Sequence, residues 1–332
     1  MPDFPRALTF DSGVTLVVTD LHGNWPLYKR YRELFLALYA RGAVERLLFT
    51  GDLLHHTGPE EDDRSLEIVL DLMGLQELLP ETIFVLLGNH ELPHLYHVPL
   101  SKGDYLFTPR FEAALGAHRA RVMAWLEGLP FYARTRAGVS LCHAGAFAEV
   151  ATAGVMPQLL HWSHRALLME TAARLPLDLR PALREEVGRL LGVPYPLLAQ
   201  TCFAVTDAGD PRYDDFLIGQ LVAADPRFEL LWSAFFTRNE RQYGAAEYEA
   251  LLTALLAQLS EGYTPQRVMV TGHLTCRNGY QVLAHDRQLR LASGVHAEPL
   301  TSCRYLLFDA GRPVARASEL LAGVGNVLGE EP

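Results

Sequence analysis

Cysteine is scarce in this sequence. Four occur in 332 residues, Cys142, Cys202, Cys276 and Cys303, and none forms a Cys-x-x-Cys pair. That spacing excludes zinc-knuckle and thioredoxin-type motifs, and four scattered thiols in so long a chain read as reduced, cytoplasmic cysteines. No apolar run approaches the roughly 20 residues that a membrane span requires. Positive charge is also short: 29 Lys and Arg stand against 39 Asp and Glu, a net charge of −10. Non-specific binding to nucleic acid or to an anionic membrane is therefore not expected. The opening residues, Met1-Pro2-Asp3-Phe4-Pro5, lack a basic segment followed by an apolar stretch, so no signal peptide is expected. Repeats and low-complexity linkers are missing too. What is left, 49% hydrophobic and 20% charged, is globular material, read as a single domain over residues 1–332.

Along the chain, short apolar strands alternate with helical periodicity. Val14 to Thr19 reads as a buried strand. Asn24 then caps a helix with Pro26 in its first turn, and Gly42 ends it. Arg46 to Phe49 is the next strand, Ser65 to Leu79 a helix, and Thr82 to Leu87 a third strand. Polar clusters follow each strand: Thr19-Asp20-Leu21-His22-Gly23, Gly51-Asp52-Leu53-Leu54 and Gly88-Asn89-His90-Glu91. In open α/β sheets the C-terminal strand edge is where ligands bind. Two more strands, Val139 to Cys142 and Arg267 to Thr271, end at His143 and at Gly272-His273. Gln288 to Ala292 and Cys303 to Phe308 read as closing strands. Residues of about 105–130 and 150–262 are read as helical cap insertions, broken by prolines such as Pro176, Pro181 and Pro194.

Two Asp, one Asn and several His at strand ends are oxygen and imidazole ligands suited to a pair of divalent metals. A pair needs one anionic bridge, and Asp52, on the middle strand of three, is the candidate. Asp20 and His22 would complete the first site, and Asn89, His143 and His273 the second. His90, beside a ligand, suits proton donation to a leaving alkoxide. This chemistry is metal-assisted attack of water on a phosphate ester.

These motifs resemble the calcineurin-like metallophosphoesterase superfamily, and within it the phosphoprotein phosphatase branch, including bacterial serine/threonine phosphatase-like and diadenosine tetraphosphate hydrolase relatives. Asp20-Leu21-His22-Gly23, residues 88–91 and the Cys142-His143-Ala144-Gly145 segment carry the resemblance. Thr275, where other branches have a second His after Gly272-His273, favours the phosphatase branch. The resemblance implies a four-layer α/β/β/α sandwich with a helical insertion, and two metals (Mn, Fe or Zn) bridged by the hydroxide that attacks a phosphomonoester.

Two departures matter. The branch has Asp and Arg where this chain has His55 and His56, so the carboxylate that would orient His90 is missing at its usual position. Asp62 or Asp63 is the expected substitute, and His56 is expected to donate to phosphate in place of the Arg. The branch's second phosphate-binding Arg follows a Leu-Trp-Ser run; here Leu231-Trp232-Ser233 precedes Arg238 and Arg241, and Arg238 is preferred. His296 is expected to reach substrate from a loop over the metals. His94 and His97, spaced along a helix from His90, read as core or surface polar groups.

The sequence thus predicts a cytoplasmic phosphoric ester hydrolase acting on a phosphorylated protein. A small-substrate enzyme (nucleotidase, diadenosine polyphosphate hydrolase or cyclic-nucleotide phosphodiesterase) is the alternative. A metal-stabilised binding scaffold with little activity is the alternative of a different class.

Overall fold

The computed structural model describes residues 4–103 and 105–329. Two mixed sheets form its centre. One has five strands in the order Val324–Asn326, Arg304–Asp309, Val14–Val18, Arg46–Phe49, Ile83–Val85. The other has six: Ala7–Phe10, Tyr132–Thr135, Val139–Cys142, Val268–Thr271, Gln288–Leu291, Tyr280–Leu283. Side-chain alternation explains how they stack. Val17, Leu48 and Leu306 of the first sheet share a core with Leu141, Val270 and Leu289 of the second. The residues between them point outward: Leu16, Val18, Leu47 and Phe49 pack on helix Trp25–Ala40 through Tyr28, Tyr31 and Phe35, and on helix Ser65–Leu78 through Ile68 and Leu72. Behind the second sheet, Met269 meets Leu252, Leu255 and Leu259 of helix Ala245–Leu259. Helices flank both sheets, the four-layer α/β arrangement that the resemblance implies.

Local chemistry sets the element ends. The Asn24 side chain accepts from the Leu27 amide at 3.0 Å, with Pro26 beside it. Gly42, at φ +68°, closes the same helix. Register then aligns the strand ends. Val18, Phe49 and Val85 lie side by side, as do Leu141, Val270 and Leu289. The loops after them therefore leave from one edge. The His22 amide donates to the Asp52 carbonyl (2.9 Å) and the Gly272 amide to the His143 carbonyl (2.9 Å), which ties neighbouring loops together.

Four strands of these two sheets were not legible in the sequence: Ala7–Phe10, Tyr132–Thr135, Tyr280–Leu283 and Val324–Asn326. They lie toward the sheet margins, where short polar-rich segments such as Tyr132-Ala133-Arg134-Thr135 carry little hydrophobic signal. Helices Thr108–Leu115 and Arg119–Glu127, and a series from Val155 to Leu259, occupy the long segments between strands. Part of that series has its own small core of Leu175, Tyr195, Phe203, Tyr213 and Phe216.

Candidate metal centre and active site

The loops after five strands deliver their side chains to one cleft. Asp20, His22, Asp52 and His273 all have positive φ, at 48°, 47°, 52° and 71°. Non-glycine residues held there cost on the order of 1–3 kcal/mol each and concentrate at functional sites. Here the left-handed turn aims each side chain across the strand ends. Close backbone approach demands the glycines: a Cβ on Gly51 would sit 2.5 Å from the Gly88 amide nitrogen.

Three overlapping groups of donor atoms result: Asp20 with His22 and His296, His22 with Asp52 and His90, and Asp52 with His143 and His273. Asp52 Oδ2 lies 3.5 Å from His22 Nε2, 3.3 Å from His143 Nε2 and 3.9 Å from His90 Nε2. Asn89 Oδ1 is 2.8 Å and His273 Nδ1 is 3.0 Å from His143 Nε2. Asp20 accepts from the His273 amide at 2.9 Å.

The second ring nitrogens are fixed by backbone. His143 Nδ1 donates to the Thr50 carbonyl (3.0 Å) and His22 Nδ1 to the Leu54 carbonyl (3.1 Å). That leaves each Nε2 lone pair facing inward, the outer bonding that metal-ligating histidines usually show. His22 Nε2 is buried with no hydrogen-bond partner among the described residues. An orphaned imidazole nitrogen beside carboxylate and amide oxygens fits a bound cation. The donors suit one ion among Asp20, His22 and Asp52 and another among Asp52, Asn89, His143 and His273.

The buried donors also perturb one another strongly. Burial pushes Asp52 upward, but the imidazoles of His143, His90 and His22 outweigh it and hold the carboxylate well below its ordinary value. Burial lowers His143, yet Asp52 and Asp20 raise it to about 9. Burial dominates at His90 and pushes it down to about 3 despite Asp52.

Glu91 is a structural member that sequence reading left without a role. Its carboxylate is fully buried and accepts from three amides: Asp52 (3.0 Å), Gly88 (2.9 Å) and Leu53 (2.8 Å). It fastens the Asn89 loop to the Asp52 loop. Its place in the Gly-Asn-His-Glu run was the available signal.

The cleft, about 670 Å³, is lined by His22, Asp52, His90, His273, His296 and Arg241, with Lys102, Tyr105 and Phe107 at its wall. Two of the expected phosphate contacts do not line this cleft. Arg238 is turned to Glu229 (2.9 Å) and Ser233 (3.2 Å) and does not line the cleft. His56 Nδ1 accepts from the Gly58 amide (3.0 Å), within its own turn, and is also absent from the lining. Arg241 enters instead, because the capping box of Asn239 and Gln242 starts a new short helix, Glu240–Tyr243, after Arg238. His296 does face the cleft, but its Nε2 is 4.0 Å from Asp20 Oδ1, among the metal-type donors. Asp63 does not orient His90: it bonds the Ser65 amide and hydroxyl and the His56 amide.

Residues 14–174 match the calcineurin-like phosphoesterase family. The cold-active protein-tyrosine phosphatase of a psychrophilic Shewanella species superposes with TM-score 0.50 at 15% identity, covering 99% of this chain and 82% of that one. A single-substitution mutant of a cold-active protein tyrosine phosphatase gives 0.50 at 15% identity, covering 93% and 79%. No curated protein sequence is significantly similar to this one. Residues 14–174, which span the Asp20, Asp52, Asn89 and His143 loops, therefore carry a calcineurin-like phosphoesterase domain.

Proposed function

We propose that this protein is a dimetal phosphomonoesterase whose substrate is a phosphorylated protein side chain. The observation that carries the reading is the convergence of Asp20, His22, Asp52, Asn89, His143 and His273 on one cleft edge, with His90 beside them. Two divalent cations held by these donors, Mn, Fe or Zn by ligand type, would supply a water-derived nucleophile and neutralise phosphate charge. The chain's own groups do the rest. Arg241 and Lys102 on the cleft wall attract the dianion. Phe107 packs against His90, ring centroids 5.3 Å apart, and keeps bulk water from that side of the imidazole. His90 Nε2 faces the cleft and gives a proton to the departing oxygen as the P–O bond breaks. The solved phosphatases of like fold are named for protein substrates, which makes phosphopeptides the first class to test.

The test is phosphate release by metal-stripped protein reloaded with Mn, Fe or Zn. The panel is phosphopeptides, mononucleotides, cyclic nucleotides and dinucleotide polyphosphates. Metal-dependent turnover highest on phosphopeptides is expected, with a loss of about 10²–10⁴-fold in His90→Asn on alkyl phosphates. Preference for a nucleotide would move the substrate to the small-molecule class. No turnover with any metal would overturn the enzymatic reading in favour of a scaffold.

A further inference from the structure

His90 is the first of three histidines in line. Its Nδ1 lies 3.0 Å from His55 Nδ1. His55 Nε2 lies 2.8 Å from His94 Nε2. His94 Nδ1 lies 2.7 Å from Glu112 Oε1. The other Glu112 oxygen contacts the Arg119 guanidinium, and Arg212 stands 3.6 Å away. His55, His94 and Glu112 are all buried, at 1%, 0% and 4% exposure, so no water competes for these bonds. Phe107 stacks on His55 (5.4 Å, 19°) and Phe111 meets His94 edge-on (4.8 Å), holding both rings in line.

Hydrogen-bond chemistry gives this line a direction. A neutral imidazole has one N–H and one lone pair. Glu112, ionised beside Arg119, can only accept. His94 must therefore donate from Nδ1 and accept at Nε2. His55 must donate from Nε2 and accept at Nδ1. His90 must donate from Nδ1, which leaves Nε2 as the nitrogen that faces the cleft; it carries a transferable proton only in the imidazolium form, the form that acts as acid.

We propose that Glu112 positions His90 through His94 and His55, a carboxylate relay that replaces the single carboxylate missing at position 55. The inference rests on the reading of His90 as proton donor in phosphoester hydrolysis. In that step the attacking water oxygen bonds to phosphorus while the P–O bond to the leaving group breaks with its electron pair on the leaving oxygen. His90 Nε2 gives its proton to that oxygen and becomes neutral, while Nδ1–H stays bonded to His55. His55, His94 and Glu112 touch no substrate; they are positioning residues. They come from separate parts of the chain: a loop, helix Leu92–Tyr96 and helix Thr108–Leu115.

Two measurements test the relay. The first is nitrogen-15 NMR of the imidazoles in the zinc-loaded protein. His55 protonated at Nε2 and bare at Nδ1 is expected; the opposite tautomer overturns the proposal whatever the activity. The second is turnover along the series p-nitrophenyl, phenyl and ethyl phosphate in wild type, Glu112→Gln, His94→Phe and His55→Asp. The relay variants Glu112→Gln and His94→Phe should lose about 10–100-fold in kcat on ethyl phosphate, with KM within about twofold. On p-nitrophenyl phosphate, whose leaving group needs no proton, they should stay near wild type. His55→Asp supplies a carboxylate directly, so Glu112→Gln added to it should cost nothing further. Equal losses on all three esters, or an additive loss in the His55→Asp background, would overturn the relay. Absence of turnover in the wild type would instead sink the phosphoesterase reading, and leave the tautomer result to stand or fall by itself.

Discussion

Removing the Glu91 carboxylate should damage the centre without touching any donor atom. In Glu91→Ala three buried amides, those of Asp52, Leu53 and Gly88, lose their acceptor together. Each unsatisfied buried donor costs about 1–3 kcal/mol. The side chain is fully buried, so water replaces it poorly, and the sum is on the order of 3–6 kcal/mol after local relaxation. Glu91→Gln is milder. Its amide oxygen, placed at Oε2, keeps the Asp52 and Gly88 bonds, but its NH₂ then faces the Leu53 N–H, donor against donor. One lost bond and one repulsion cost about 1–3 kcal/mol. At roughly 2–4 °C per kcal/mol for domains somewhat smaller than this one, the melting temperature should fall by on the order of 5–15 °C for Ala and a few degrees for Gln. Because these bonds fix Asp52 against Asn89, metal content should fall in the same order. Calorimetry and elemental analysis on the metal-loaded proteins decide it. A Gln variant as unstable as Ala, or an Ala variant with wild-type melting and metal content, would refute the reasoning.

Asp52→Asn removes the carboxylate that stands near His22, His143 and His90 together; activity and bound metal should both collapse while circular dichroism stays native. Arg241→Ala should weaken competitive inhibition by phosphate and vanadate about tenfold or more, whereas Arg238→Ala, which only frees Glu229 and Ser233, should leave it unchanged; the reverse result would restore Arg238 to the cleft. Asp215 is pushed up to about 7 by burial, against an ordinary 3.8. The folded chain therefore holds a proton that the unfolded chain releases between those values, so this group loses stability as pH rises through that window. Asp215→Asn should be more stable than wild type at pH 8, by on the order of 1–4 kcal/mol, and nearly equal at pH 4; a constant difference across pH would count against it. His97, 3.3 Å away and lowered to about 4 by its burial, works in the opposite sense, and His97→Gln in both backgrounds separates its share.

How far the sequence reaches depends on the range of the forces involved. Asp20, His22, Asp52, Asn89, His90, His143 and His273 were legible because each follows a short buried strand, and the strand-then-polar-loop pattern is local. The two sheets' central strands and the helices beside them were legible for the same reason: periods of 2 and 3.6 are written in a few consecutive residues. The edge strands were not, since Ala7–Phe10 exists only by pairing with Tyr132–Thr135, 125 residues on. Arg238 looked right by its distance from Ser233, but a capping box that begins at the next residue turned the chain and put Arg241 in the cleft. The partner of His90 was beyond any local pattern. His94 reads as a core or surface polar group, and nothing around Glu112 singles it out; only the packing of helix Thr108–Leu115 against Leu92–Tyr96 brings Glu112 to His94, and His94 to His55. The sequence by itself determined the donor types and the edge on which they gather, because strand alternation and loop placement are local. The tertiary structure alone decided which buried groups face one another, because a hydrogen bond is made by side chains within about 3 Å, whatever their separation along the chain.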